Sequence, residues 1–109
     1  MKIKELFQPM GISQSFNGSA ALLDWNNCQI ENRTKNEDSV MLLLKRKSDG
    51  EEGHAYLRPQ DKFKSLAPQL LNWAFINNGI IGLTLNQLVD LETNLEIENL
   101  HGRLHLNKN

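Results

Sequence analysis

The hydrophobic pattern of the first half of the chain is dominated by an apolar run at residues 40–44, Val-Met-Leu-Leu-Leu. The run starts with a β-branched residue and is followed by a basic triplet and by the turn-like segment Ser48-Asp49-Gly50. A shorter run, which contains an aromatic residue, follows at residues 54–57. The two runs predict an antiparallel hairpin, because Gly50 can adopt the positive φ that the turn needs.

Weaker patterns surround this hairpin. Residues 2–7 are compatible with a short helix, and the apolar positions at 20–24 and 28–30 are compatible with a further strand. Residues 11–19 are rich in glycine, serine and asparagine and predict a loop. Residues 32–39 are polar and lack periodicity, so we expect a surface connector there.

The spacing of apolar residues changes from residue 65 onward. Leu66, Leu70, Trp73 and Ile76 recur every three or four positions, which predicts one buried face of a helix. Ser65 is a candidate cap at its start, and Pro68 falls in the first turn, where its missing N–H costs little. Asn77-Asn78-Gly79 predicts its end, with Gly79 in the left-handed conformation.

A second helix is predicted to begin at Thr84. Thr84 and Gln87 have the spacing of a capping box, in which each side chain accepts a hydrogen bond from the other residue's backbone N–H. Leu85, Leu88, Val89 and Leu91 then fit one apolar face.

Residues 95–106 are compatible with two structures. As a hairpin, Leu95 and Ile97 alternate with glutamates, and Leu104 and Leu106 alternate on the return strand. As a helix, Ile97 and Leu104 lie on one face with Leu100, and Gly102 inside the helix costs about 1 kcal/mol relative to alanine.

A family resemblance favours the helix. Thr84 is placed to cap a second helix, and Leu88-Val89 is placed to pack it against the core. Thr93-Asn94-Leu95 matches a turn that is commonly Thr-Gly-Leu in such domains, and Leu100 and Leu104 match the buried positions of a third helix. In these features residues 83–104 resemble the helix-turn-helix core of winged-helix domains, including the C-terminal domain of the DNA-processing protein family. The resemblance implies a third helix that contacts DNA, and we expect no wing after it because the sequence ends at residue 109.

These patterns predict an α+β fold in one domain, residues 1–109. Residues 1–60 are expected to be mainly β and loop, with a small N-terminal antiparallel sheet of two or three strands. Residues 61–109 are expected to be mainly helical and helix-turn-helix-like, and to form the main working surface.

Composition restricts the function further. The chain has 12 basic and 13 acidic residues, so its overall charge gives no general attraction to an anionic polymer. Its single cysteine, Cys28, cannot form an internal disulfide, and residues 1–6 lack the apolar core of a signal peptide, which favours a cytoplasmic location. The longest apolar run is too short to cross a membrane, and we expect no membrane partner.

The candidate chemical groups do not form a recognisable catalytic set, so we expect no enzyme, cofactor or metal. Glu98, His101 and His105 would share one face of a helix, but ordinary surface positions are the stronger interpretation. Nothing in the sequence brings Cys28 to His54 as nucleophile and base, and a buried apolar role is favoured for the cysteine.

Two functions remain. The first is a small regulatory or accessory protein that binds DNA through the third helix. Its expected contacts are Asn99, Arg103 and Lys108, with Lys45, Arg46 and Lys47 as a secondary phosphate site; alternatively, these three charges protect a strand edge from association. The second is a protein-protein interaction module or inhibitor that uses the same fold without binding DNA, through exposed apolar or aromatic surface around Trp25 and the helical region. Both are compatible with a homodimer.

Overall fold

The computed structural model describes residues 1–8, 11–13 and 28–108. Trp25 and the apolar patch at residues 20–24 lie outside the described residues, as does most of the predicted loop at residues 11–19. In chain order the elements are α1 (Ile3–Leu6), β1 (Gly11–Ser13), β2 (Cys28–Lys35), β3 (Val40–Arg46), β4 (Glu52–Leu57), a first 3₁₀ helix (Asp61–Leu66), α2 (Ala67–Ile76), a second 3₁₀ helix (Asn78–Ile80), α3 (Leu85–Val89), β5 (Leu95–Leu100) and β6 (Arg103–Lys108).

The first sheet is antiparallel, with the strand order β1-β4-β3-β2. Its centre is the predicted hairpin, and Gly50 has a φ of 75° in the turn between β3 and β4. Val40, Leu42 and Leu44 are fully buried on one face, while Met41 and Leu43 on the other face are half-buried. Burial alternates from one residue to the next, as it does in a strand that packs one face on the core. The hairpin prediction is therefore confirmed.

Strand β2 continues beyond the predicted apolar patch. Residues 32–35 were expected to be a connector, but they pair with β3, after a register shift between Ile30 and Asn32. Their polarity is explained by their position on the outermost strand of the sheet, where side chains reach solvent.

Helix α2 covers the buried face of the first sheet. It buries Leu70, Leu71, Trp73 and Ala74, and Pro68 lies in its first turn as predicted. Ser65 does not cap it, because this residue belongs to the first 3₁₀ helix, which runs directly into α2. The prediction for Gly79 is also wrong: Gly79 lies in the second 3₁₀ helix, and Gly82 takes the left-handed conformation instead, with a φ of 88°.

The guanidinium of Arg33 joins β2 to the end of α2. Its Nε donates a hydrogen bond to the carbonyl oxygen of Phe75, and its Nη2 donates to Oδ1 of Asn78 at 2.8 Å. The guanidinium also lies 5.8 Å from the centre of the Phe75 ring. A cation at this end of a helix stabilises carbonyl groups that have no partner within the helix.

Helix α3 begins as the sequence predicts. The backbone N–H of Thr84 donates to Oε1 of Gln87 at 2.9 Å, and the backbone N–H of Gln87 donates to Oγ1 of Thr84 at 3.3 Å. Leu85 and Leu88 are buried against the core. The capping-box prediction is therefore confirmed.

The predicted C-terminal helical part is wrong. Residues 95–106 belong to β5 and β6, which form a separate two-stranded antiparallel sheet, here called the ribbon. His101 and Gly102 have φ values of 54° and 80°, as the two central residues of a type I′ turn require. The fold is α+β, but its helices lie mainly in the middle of the chain, and the third helix implied by the winged-helix resemblance is replaced by a hairpin.

The alternation of apolar side chains explains the hairpin. Leu95 is fully buried, and Ile97, Leu104 and Leu106 pack partly against the core. Since these four residues share one face of the ribbon, the other face carries mainly polar side chains. A helix would have buried Leu100 with them, whereas Leu100 is 47% exposed near the turn.

The base of the ribbon is tied to the first residues of the chain. The backbone N–H of Ile3 donates to the carbonyl oxygen of Leu91 at 3.1 Å. Thr93 donates to the carbonyl oxygen of Met1 from both its N–H and its Oγ1, at 2.9 and 2.6 Å. Thr93 thus anchors the ribbon instead of starting a turn between helices. Within the described residues no helix is long and apolar enough to cross a membrane.

Candidate functional site

A groove separates helix α2 from strand β6. It has a volume of about 710 Å³ and is lined by Gln69, Asn72, Leu106, Asn107 and Lys108. The first 3₁₀ helix packs against β6 and leads directly into α2. Two segments far apart in the sequence thereby form the two walls of the groove.

One wall of the groove is the exposed face of α2. Gln69 and Asn72 are three positions apart in the sequence, which places their side chains next to each other on the helix surface. The neighbouring Leu70, Leu71 and Trp73 are buried in the core and fix the orientation of the helix. The exposed face therefore presents two carboxamides, and α2 contains no charged residue.

The opposite wall is the outer edge of β6. The pair Leu100 and Arg103 closes the two-residue turn, so these residues exchange backbone hydrogen bonds. Hydrogen-bonded and non-hydrogen-bonded pairs alternate in an antiparallel ladder, so Leu104 and Leu106 direct their N–H and C=O groups away from β5. No strand among the described residues pairs with this outer edge.

The groove has the chemical properties needed to hold a polypeptide backbone. An unpaired strand edge offers donors and acceptors at the spacing of another extended chain. The carboxamides of Gln69, Asn72 and Asn107 each carry a donor and an acceptor, as a peptide bond does. Leu106 supplies an apolar surface between these polar groups, and it is half-buried.

The expected DNA contacts on the ribbon do not converge. Asn99 pairs with Leu104 and shares its face with Lys108, while Arg103 lies on the opposite face beside the turn. Arg103 and Lys108 are at the two ends of β6, about 17 Å apart at the usual rise of a strand. The ribbon therefore does not present these three side chains as one surface.

The expected secondary phosphate site is largely neutralised by neighbouring acids. The guanidinium of Arg46 donates two hydrogen bonds to the Asp49 carboxylate, one of them 2.9 Å long from Nε. This contact lowers the pKa of Asp49 to about 2 and raises the pKa of Arg46. Lys45 lies opposite Glu52 in the sheet, and Lys47 lies in the turn.

A second cleft, of about 490 Å³, lies at the start of α2. Arg58 and Lys64 line it together with three carboxylates, those of Glu37, Asp38 and Asp61. The side-chain amide of Gln8 also donates to Oδ1 of Asp61 at 2.8 Å. Charges of both signs are therefore mixed around this cleft.

The structure separates the other groups considered in the sequence. Cys28 is fully buried on the core face of β2, as expected, whereas His54 lies on the opposite face of the sheet beside Leu43. Glu98 and His105 face each other across the ribbon, but His101 is in the turn. No group of three or more possible metal ligands occurs within the part of the chain that the structure describes.

Sequence reasoning missed Gln69 and Asn72 as candidate site residues. The available signal was indirect: a helix of ten residues that has an exposed face without any charge. Solvent-exposed helix faces usually carry charged side chains. Comparisons of the chain with protein-family models, with curated proteins and with solved structures found no match.

Proposed function

We propose that this protein is a non-enzymatic protein-protein interaction module that binds an extended segment of a partner in the groove between α2 and β6. The observation that carries the proposal is the position of the groove along the outer edge of β6, with Gln69 and Asn72 facing that edge. The segment adds to the ribbon as a third strand. Its backbone pairs with Leu104 and Leu106 and also contacts the two carboxamides of the helix.

This mode of binding suits the ribbon for an energetic reason. A two-stranded sheet is only marginally stable in water, and a third strand pairs backbone groups that water otherwise solvates. The apolar face of the ribbon already rests on the core through Leu95, so the edge is held in place before the segment arrives. Little ordering of the protein is then needed on binding.

The test starts with selection of binders from a random library of 12-residue peptides, and with synthesis of the selected peptides. Backbone amides of the peptide are then methylated one position at a time, which removes a donor without changing the protein. Because alternate residues of a strand face its neighbour, methylation at every second position should abolish binding, and methylation between them should weaken it less, since those amides face the carboxamides of α2 and not a paired strand. Equal sensitivity at all positions would refute strand addition.

Protein variants locate the binding surface. Replacing both Gln69 and Asn72 with alanine should weaken binding of the selected peptides, since it removes one wall of the groove. Ile76→Ala is the matched control, because Ile76 is 56% exposed on the same helix and does not line the groove. If the control weakens binding as much as the double variant, the groove is not the site.

The same protein should be titrated with random duplex DNA at low salt. Affinity that falls steeply with salt and depends on Arg103 would support the DNA-binding prediction instead. That prediction was made for a recognition helix, and residues 95–100 and 103–108 are strands.

A further inference from the structure

We infer that the partner segment is acidic, and that it carries two carboxylates five residues apart, one beside Lys108 and one beside Arg103. This inference rests on the proposed function and adds the chemistry of the partner. It depends on the charges of the groove and on the register of the ribbon.

The two elements that form the walls of the groove, α2 and β6, carry no negative charge. Lys108 is the single charged residue that lines it among the described residues. Strand β6 contains Arg103, His105 and Lys108 and no carboxylate, while α2 contains no charge at all. Among the described residues neither Arg103 nor Lys108 takes part in an ion pair. Both cations are thus available to an incoming anionic group.

The other edge of the ribbon has the opposite charge. Strand β5 carries Glu96 and Glu98 and no cation. An acidic segment is therefore repelled from β5 and attracted to β6, so the charge pattern selects one edge of two. Charge complementarity of this kind determines specificity and orientation more than total affinity.

The register predicts the spacing of the carboxylates. Lys108 and Arg103 are five residues apart and lie on opposite faces of the ribbon. In an added strand, the residues opposite them are also five apart and also face opposite sides, because strand side chains alternate with a period of two. The segment then has an acidic residue at one position and another five positions later.

The probes are four labelled 10-residue peptides that share a backbone sequence and differ only in the charged pair. One has glutamates five residues apart, one has the same glutamates three apart, one has glutamines and one has lysines at the five-residue spacing. Binding is measured by fluorescence anisotropy to the full chain, to Lys108→Glu and to Lys47→Glu. Lys47 lies in the β3–β4 turn, outside the residues that line the groove.

We expect the five-spaced glutamate peptide to bind about three- to tenfold more tightly than the glutamine peptide at low salt, since exposed ion pairs contribute modestly. The peptide with glutamates three residues apart should lose about half of the gain in binding free energy, because only one of its glutamates can lie beside a cation. Lys108→Glu should abolish the advantage of the five-spaced glutamate peptide, because each charged peptide then has one attraction and one repulsion. Lys47→Glu should leave the order unchanged.

Failure of the inference and failure of the proposed function give different results. The acidic partner is refuted if the glutamate and glutamine peptides bind with equal affinity. Strand addition still stands in that case if both peptides shift the NMR signals of the backbone amides of Leu104 and Leu106. If none of the four peptides binds, both are refuted. A concentration-dependent self-association that Glu96→Lys and Glu98→Lys abolish would identify β5 of a second copy as the occupant, and would overturn the inference of a separate partner.

Discussion

Replacing Gly102 with alanine tests whether the C-terminal residues form a hairpin or a helix. The two structures predict changes of opposite sign in the free energy of unfolding. Gly102 has a φ of 80° in the type I′ turn of the ribbon, and a Cβ built on it would meet no atom within 4 Å. Steric clash with other residues therefore contributes nothing. The only effect in the folded state is the cost of holding an L-residue in the left-handed region.

The size of the effect follows from two opposing contributions. Holding alanine in the left-handed conformation raises the free energy of the folded state by roughly 1–2 kcal/mol. Alanine also reduces the conformational freedom of the unfolded chain, which favours folding by about 0.4–1 kcal/mol. We therefore expect Gly102→Ala to destabilise the protein by about 1 kcal/mol. In a helix the same substitution would stabilise it by about 1 kcal/mol, because glycine is a poor helix former.

The measurement is urea unfolding, with amide exchange of β5 and β6 as a local readout because a ribbon can open without global unfolding. Gly82→Ala is the matched control, since Gly82 has a φ of 88° and equally open surroundings, and it should show a loss of the same size. His101→Asn should be stabilising, because asparagine tolerates the φ of 54° at this position better. Stabilisation by Gly102→Ala, with the expected loss at Gly82, would refute the hairpin.

Three further predictions concern the contacts that hold the elements together. Arg33→Met should lower the free energy of unfolding by about 1 kcal/mol, because it removes the cation that binds the end of α2; Lys35→Met on the same strand is the control in urea unfolding. The pKa of Asp49, about 2, is below its ordinary value of 3.8, so its contact with Arg46 stabilises the fold fully above the ordinary pKa and is lost as pH falls towards 2. Asp49→Asn should remove that acid dependence, and a carboxylate titration by NMR with a midpoint near 4 would contradict it. Leu95→Ala should cost about 2–5 kcal/mol because Leu95 is 0% exposed, and a loss below 1 kcal/mol would show that the ribbon does not rest on the core.

The elements that were predicted correctly have signals contained within a few neighbouring residues. The β3–β4 hairpin combines an apolar run with Gly50, and the start of α3 combines Thr84 with Gln87. Local chemistry of this kind is sufficient because the turn or cap is formed by the residues that signal it. The left-handed glycine after α2 was misplaced because Gly79 and Gly82 are both near the end of the helix, and only packing distinguishes them.

The C-terminal residues were predicted wrongly because their two patterns overlap. Leu104 fits both the helical spacing and the alternation of a strand. The turn that decides between them contains His101 and Gly102, and these two residues are a weaker turn signal than Asn-Gly or Asp-Gly. The resemblance to a helix-turn-helix then favoured the helix, although Thr93 in fact binds the backbone of Met1.

The groove lay beyond prediction for a different reason. Its walls come from Gln69 and Asn72 on one side and from residues 106–108 on the other. No periodicity joins segments so far apart in the chain, and both amides are unremarkable helix-surface residues when considered alone. Only the packing of β6 against the first 3₁₀ helix, which leads into α2, brings them together.

The bonds between residues 1–3 and residues 91–93 affect the order in which the chain folds. Ile3 and Met1 have their backbone partners in Leu91 and Thr93, so these contacts enclose almost the whole described chain. Contacts that close such long loops form slowly, because the chain must be ordered before they contribute. Met1 and Ile3 therefore gain these partners late in folding. Until then β3, β4 and α2 can assemble locally, but Ile3 and Leu6 lack part of the surface that buries them, so the core is completed only when these long-range contacts form.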